Sequence, residues 1–291
     1  MKIAIALLLY NRPAHCQEVI ESLIDNNVDD VYAFLDFSEK QEVKQNQEEI
    51  ISLINQHSDK LNITLYKHKE SKGLKKSVIY ALDTLFAKGY DGVILLEDDC
   101  VLRDEAYEFF QKTLTDYKDI KSVRSVCGYL PPNIPFQVSQ NSDLLLMSRF
   151  STWGWATWAD RWNDYEIEVG KVLEKFEEAK IDINLIAPDL YRLANSEKYL
   201  KGQVDVWSIP WSLVHYLTGT TVIYPKQTLI DNIGLDGSGR NCVYSEDYTH
   251  NEKKENKFEF NKNVLPQYNI INESLLKNFM LEKSYQIYPN F

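Results

Sequence analysis

The sequence predicts an α/β chain built on a mostly parallel central sheet flanked by helices. Three observations carry that prediction. Apolar runs of strand length alternate with amphipathic helical stretches through the first hundred residues, the runs are apolar almost throughout, and polar or acidic residues stand at their carboxyl ends.

Residues 3–9 form a near-continuous apolar run, the pattern of a strand buried on both faces, and Asn11-Arg12-Pro13 then supplies a cap and a proline suited to the first helical turn. Val19, Ile20, Leu23 and Ile24 give the following helix one apolar face before Asp25-Asn26-Asn27 stops it. Residues 31–35 read as the second strand, ending at Asp36, and a polar helix over about 41–55 turns Ile50, Ile51, Leu53 and Ile54 inward. Residues 61–66 form the third strand. Gly73 precedes a helix whose apolar positions Leu74, Val78, Ala81, Leu82 and Leu85 recur at helical spacing, closing at Gly89. The fourth strand, 93–96, opens directly into Glu97, Asp98 and Asp99. In a parallel sheet with helices on both faces, ligands gather at the carboxyl ends of the strands, and Asn11-Arg12, Asp36 and the three acids all fall there.

Three adjacent carboxylates repel one another, and the low-dielectric end of a buried strand raises the cost of ionising them. A hard cation such as Mg²⁺ or Mn²⁺, held by one or two carboxylates and by substrate phosphates, is a common solution; a solvated acidic turn is the plain alternative. No GxGxxG follows the first strand and no GxxxxGK[ST] occurs, so neither a dinucleotide fold nor a P-loop is supported.

The 291 residues suffice for one large domain or two closely packed ones, and a content of 44% hydrophobic and 12% aromatic residues excludes a disordered chain. A formal net charge of -11 argues against nucleic acid as a partner, because no general positive field is available to attract it. Cys16, Cys100, Cys127 and Cys242 are widely spaced, with no zinc-like cluster, which suits reduced thiols in a cytoplasmic protein. The run IAIALLLY is too short to span a bilayer and lacks a signal-peptide cleavage region, so the expectation is a soluble chain, peripheral to a membrane at most.

After residue 100 the alternation ends and tryptophan-rich segments appear, with five of the six Trp between 153 and 207. Indole rings stack on sugar faces and donate a hydrogen bond, so a Trp-lined cleft suits carbohydrate; core packing at a junction is the competing explanation. Trp153 and Trp155, flanking Gly154, are the expected acceptor-binding residues. Residues 251–263 are highly charged, the composition of a solvated connector. A short helix is expected over 272–281, folding back on the body, pairing with a second subunit or grazing a membrane surface.

Taken together, LLLYNRP (7–13), the Gly73 helix, ILLEDDC (94–100), WGWATW (153–158), DVWSIPW (205–211) and IYPKQTLIDNIG (223–234) resemble a bacterial GT-A glycosyltransferase, most similar to the branch related to N-acetylglucosaminyltransferase I. The resemblance covers roughly the first 235 residues. It implies a nucleotide-sugar-binding half over 1–100, an acceptor-binding half of the same GT-A domain over 101–240 and a C-terminal extension over 241–291. It also implies transfer of a sugar from a nucleotide-diphospho sugar, a UDP-sugar, to a hydroxyl of a glycan or lipid-linked glycan, with inversion, in bacterial surface glycan synthesis.

By resemblance Asp99 binds Mn²⁺ (or Mg²⁺), Asp98 contacts the ribose, Arg12 and Asp36 hold the uridine and its phosphates, Ser77 touches the base, and Asp205 is the catalytic base. The local alternatives are structural: Arg12 pairing with Asp36 or Asp98, Ser77 facing solvent, and Asp205 capping the helix that begins near Trp207. After NIG, where relatives often read an aromatic-Gly stretch ending in Thr-His, this chain reads Leu-Asp-Gly-Ser-Gly-Arg over 235–240, which removes a metal-binding His and leaves Arg240 to meet phosphate. Two further classes are open: a sugar nucleotidyltransferase, against which the first strand lacks a glycine- and lysine-rich loop, and a non-catalytic nucleotide- or carbohydrate-binding protein.

Overall fold

A computed structural model of the chain describes residues 1–138, 142–166, 168–202, 206–238, 244–248 and 266–287. The first half runs β1 (Ile3–Leu9), α1 (Pro13–Asp25), β2 (Asp30–Leu35), α2 (Gln41–Gln56), β3 (Asn62–Lys67), α3 (Gly73–Ala87) and β4 (Gly92–Glu97), as the alternation of apolar runs and periodic faces predicts. The second half runs β5 (Cys100–Leu102), α4 (Ala106–Asp116), β6 (Val123–Cys127), β7 (Leu144–Met147), β8 (Trp155–Trp158), α5 (Ala159–Trp162), α6 (Val169–Glu178), α7 (Ile183–Ile186), α8 (Pro188–Ala194), α9 (Glu197–Leu200), α10 (Ser208–Thr218), β9 (Thr221–Pro225), β10 (Ile230–Asn232) and α11 (Ile270–Ile287).

Both halves contribute to one eight-stranded sheet in the order β3-β2-β1-β4-β8-β6-β9-β7. β1 pairs in parallel with β2 and β4, and β2 with β3; β8 enters antiparallel between β4 and β6, and β7 closes the far edge antiparallel to β9. The sheet is therefore mostly parallel, with its central strands β1 and β4 apolar and buried and its edge strand β3 half-wet, so the pattern of Asn62–Lys67 is the more polar one.

Two expected details differ. The N-cap of α1 is Arg12, which makes no side-chain cap; its guanidinium is drawn to the acids of β4 instead, while Pro13 takes the first helical position as expected. The C-terminal helix is longer than 272–281 and folds back on the body. Asn272 pairs with the backbone of Gln137 in both directions, and Glu273 accepts from Ser148 N at 2.7 Å and Tyr216 Oη at 2.8 Å. The charged stretch 251–263 lies outside the described residues. Among the described residues no helix is long and apolar enough to cross a membrane.

The tryptophans pack mainly against one another. Trp155, Trp158, Trp162, Trp207 and Trp211 are all buried, and Trp155 stacks on Trp207 at 5.1 Å between centroids. Inside this cluster Trp211 Nε1 donates to Ser125 Oγ at 3.1 Å, and His215 Nδ1 donates to Trp211 O at 2.8 Å. That assigns Nε2 as the acceptor of the Ser125 hydroxyl, 3.0 Å away. Burial lowers the His215 pKa from 6.5 to about 3, with Arg124 acting in the same direction against the Trp211 carbonyl. The folded-state value lies below the unfolded one, so the unfolded chain takes up this proton first; the contribution to stability is complete above about 6.5 and is lost as pH falls toward 3. Urea unfolding followed across that range should show stability declining with acid, and His215→Gln should flatten the decline; an unchanged pH slope would refute the neutral-imidazole role.

Candidate functional site

The site forms where the carboxyl ends of β1, β2 and β4 meet. Arg12, just beyond β1, reaches across to the turn after β4, where one guanidinium nitrogen donates to both Asp98 Oδ1 and Asp99 Oδ2, the latter at 2.7 Å. Arg12 and Asp98 thus make one of the two pairings the local alternatives allowed, and Asp99 joins them. Asp98 and Asp99 are 5% and 8% exposed. Burial alone would lower the Arg12 pKa, but Asp98 and Asp99 hold it above its ordinary value. Desolvation raises Asp98 against the pull of Arg12, and desolvation with the charges of Asp99 and Asp98 raises Glu97 to about 8. With its pKa at about 8 Glu97 keeps its proton at neutral pH, and the one guanidinium of Arg12 is shared between Asp98 and Asp99.

Asp36 does different work. Its carboxylate accepts from the backbone amides of Lys72 at 2.9 Å and Gly73 at 3.0 Å, the first amides of α3. The N-cap residue of α3, Lys72, makes no side-chain cap, so β2 caps a helix 36 residues downstream. Gly73 sits at φ +70°, a left-handed turn that glycine adopts without steric cost. Ser77 is buried, not solvent-facing, and among the described residues its hydroxyl has no hydrogen-bond partner.

A second, two-stranded sheet brings the NIG segment to the acids. β10 pairs antiparallel with β5, Asn232 opposite Cys100, and Arg103 grips Asp231 with two bonds of 2.8 and 2.7 Å. Ile233 N donates to Asp99 O at 3.0 Å, and Gly234 N to Asn232 Oδ1 at 2.8 Å. A Cβ placed on Gly234 would lie 2.1 Å from Asp99 Oδ2 and 2.8 Å from Arg12 Nη1, so only glycine leaves those side chains where they are. Arg103 carried no signal in the sequence and Asp231 none beyond its place in the IYPKQTLIDNIG segment; their link exists only across the β5–β10 pairing. Tyr10, also not singled out by pattern, is 40% exposed just past β1.

Trp155, expected to touch an acceptor, is a core residue with no exposed surface, because β8 turns its side chain into the tryptophan cluster. Trp153 is half-buried and packs edge-on against Tyr129 at 4.6 Å and Tyr248 at 5.6 Å. These three aromatics, with Arg149, Ile209 and Leu276, line a pocket beside the carboxyl end of β6 and the entry to β8. Tyr129 and Trp153 thus stand at the end of the sheet where β4 carries the acids. Asp205 and Arg240 lie outside the described residues.

Among the described residues no group of three or more His, Cys, Asp or Glu side chains is arranged to hold a metal ion. The residues present suit a divalent ion that takes one or two carboxylates and completes its shell with ligand oxygens. Among the described residues Asp98 Oδ2 is buried without a partner, and Asp99 Oδ2, bonded to Arg12, packs against the backbone of Gly234 where a Cβ would stand.

No family model matches the sequence, and no curated protein does. Among solved structures the chain is similar to a mannosyltransferase from Pyrobaculum calidifontis in complex with GDP-Man and Mn²⁺, at 16% identity and TM-score 0.41 over 56% of this chain and 46% of that one. It is similar to S. aureus TarS at 14% identity and TM-score 0.40, over 57% and 50% of the two chains. A Bacillus anthracis protein provisionally described as a glucose-1-phosphate thymidylyltransferase, solved with sucrose, is 9% identical at TM-score 0.42, over 80% of this chain and 90% of that one. The chain spans about half the length of the first two, at 46% and 50%.

Gly234→Ala tests the packing on which this site depends. The added methyl should displace Asp99 or Arg12 and lower the unfolding free energy by about 1–3 kcal/mol, the usual effect of overpacking. Equal urea midpoints for the variant and the unchanged protein would contradict the close approach.

Proposed function

We propose that the chain is a GT-A glycosyltransferase that uses a divalent metal to move a sugar from a nucleotide-diphospho sugar, a UDP-sugar, to a hydroxyl acceptor, with inversion. The observation that carries this is the convergence of Arg12, Asp98, Asp99 and Gly234 at the carboxyl end of β4, with Tyr129 and Trp153 at the same end of the sheet. Two buried acids that share one cation suit a donor that arrives with its own metal, and a planar guanidinium suits phosphate oxygens.

Asp99, with Asp98 beside it, would hold Mn²⁺ or Mg²⁺, and the bound ion would supply charge neutralisation to the diphosphate leaving group. Arg12, released from the carboxylates, turns its donors to the phosphates. Asp98 orients the ribose through a hydroxyl, and Asp36 acts on the donor partly by fixing the start of α3. Trp153 offers the acceptor sugar a flat apolar face. Asp205 is assigned the base that takes the acceptor proton, and Arg240 a phosphate contact, both on resemblance alone. The domain halves follow the same division: donor over 1–100, acceptor over 101–240, extension over 241–291. A glycan or lipid-linked glycan of the bacterial surface is the acceptor class, and a hexosyl or N-acetylhexosaminyl group the cargo, with the reaction at the cytoplasmic side of the membrane.

Mass spectrometry of reactions containing nucleotide sugars, with and without Mn²⁺, tests this. Release of nucleoside diphosphate with Mn²⁺ supports transfer; formation of a nucleotide sugar from nucleoside triphosphate and sugar phosphate would instead identify a nucleotidyltransferase. Asp99→Ala should abolish turnover while the variant, destabilised by the loss of the Arg12 partner, still unfolds in one cooperative transition; full turnover would remove the metal role. For Asp205→Asn, turnover should fall about 100-fold or more with donor affinity kept, in line with the contribution of a general base; equal loss of donor binding would count against the assignment.

A further inference from the structure

A cavity of about 570 Å³ lies at the amino ends of β1 and β2, the end of the sheet opposite the carboxylates. β1 has seven residues, which at the usual rise per residue puts the two places about 20 Å apart. The cavity exists because the two pairings of β1 start at different points. β1 pairs with β4 from Ile3 opposite Gly92, but with β2 only from Ala6 opposite Tyr32. The first residues of β1 therefore line an opening on the β2 side, and Asp29 and Asp30 stand across it.

Aromatic rings flank that opening from both faces of the sheet. Tyr32 and Tyr90 pack with the α3 face, and Tyr107, from α4, with the α1 face. Tyr32 Oη and Tyr90 Oη share a hydrogen bond of 2.7 Å, with ring centroids 5.7 Å apart. One bond between two hydroxyls uses one proton, so the pair keeps a donor and free lone pairs. The charges are divided between the flanks. Lys88 Nζ lies 5.9 Å from the centre of the Tyr66 ring, itself 6.3 Å from that of Tyr32. On the other flank burial raises the Tyr107 pKa, and the charges of Asp29 and Asp30 add to it. With Lys2, the lining residues include two lysines and two aspartates.

We infer that this groove is a second ligand site, which binds a neutral saccharide away from the reaction centre. Equal numbers of acids and amines give the groove no net field, so it favours neither anions nor cations as a class. What matches it is a molecule whose rim both donates and accepts hydrogen bonds and whose faces are flat and apolar, because a tyrosine offers a ring face and a hydroxyl together. A pyranose ring meets both demands. The volume falls within the roughly 300–1,000 Å³ of small-ligand sites, ample for a short oligosaccharide. Saccharide binding here needs neither nucleotide nor metal, so it is independent of the transfer reaction proposed above.

Calorimetry and amide-resolved NMR during titration with cellotriose, maltotriose and triacetylchitotriose, without nucleotide or metal, test the assignment. At least one trisaccharide should bind and shift the amides of residues 2–5, 29–32, 88–90 and 107. Asp29 and Lys88 are exposed, so Asp29→Ala and Lys88→Ala leave the core intact. Each should weaken the bound trisaccharide about fivefold, the value of one hydrogen bond, whereas Trp153→Ala, at the other end of the sheet, should leave its affinity unchanged. Absence of binding by all three, shifts confined to the pocket around Trp153, or undiminished affinity in both the Asp29 and Lys88 variants overturns the site. With no nucleotide present, failure of this groove and failure of the transfer reaction are read in separate experiments.

Discussion

Carboxylates at the end of a buried strand have to be neutralised, and here one guanidinium does most of that. Arg12 comes from the loop after β1, and its two acidic partners from the turn after β4. Strands β1 and β4 are hydrogen-bonded neighbours in register from Ile3 opposite Gly92 to Leu8 opposite Glu97, so pairing alone carries the arginine to the acids. Removing one member of a buried ion pair usually costs about 3–5 kcal/mol, because the other is left charged and unpaired. The sharing of one cation that makes the cluster expensive also makes it receptive to a ligand that brings positive charge.

Long-range ties hold the surroundings in place. Asp36 closes the amino end of α3 from the end of β2, and the β5–β10 pair, fastened by Arg103 and Asp231, lays Gly234 on Asp99. Each tie joins residues far apart in the chain: 36 and 37 positions in the first case, 128 in the second. These ties hold the backbone around the carboxylates from both halves of the chain.

The second half of the chain spends its tryptophans on packing. Five are buried, and the Ser125–His215–Trp211 network satisfies the polar atoms that this burial would otherwise strand. Trp153 is the exception because it precedes Gly154, whose φ of +61° turns the chain into β8. A Cβ there would also lie 2.6 Å from Ile230 Cγ1, so the glycine sets both the turn and the approach of β10.

Local pattern alone determined the alternation of strands and helices up to Glu97, the parallel half of the sheet and the gathering of Arg12, Asp36 and the acids at one edge. Apolar period and strand polarity are properties of short stretches, and the βαβ rule then orders them. Tertiary structure decided the rest. Whether a tryptophan faces a ligand or the core depends on which neighbours close over it, and Trp153 and Trp155 differ although only Gly154 separates them. The partners of Asp36, the Arg103–Asp231 tie, the antiparallel entry of β8 and the groove at the amino ends of β1 and β2 all arise from contacts between distant segments. Such contacts leave no period or spacing in the sequence, because each depends on where two independent elements meet.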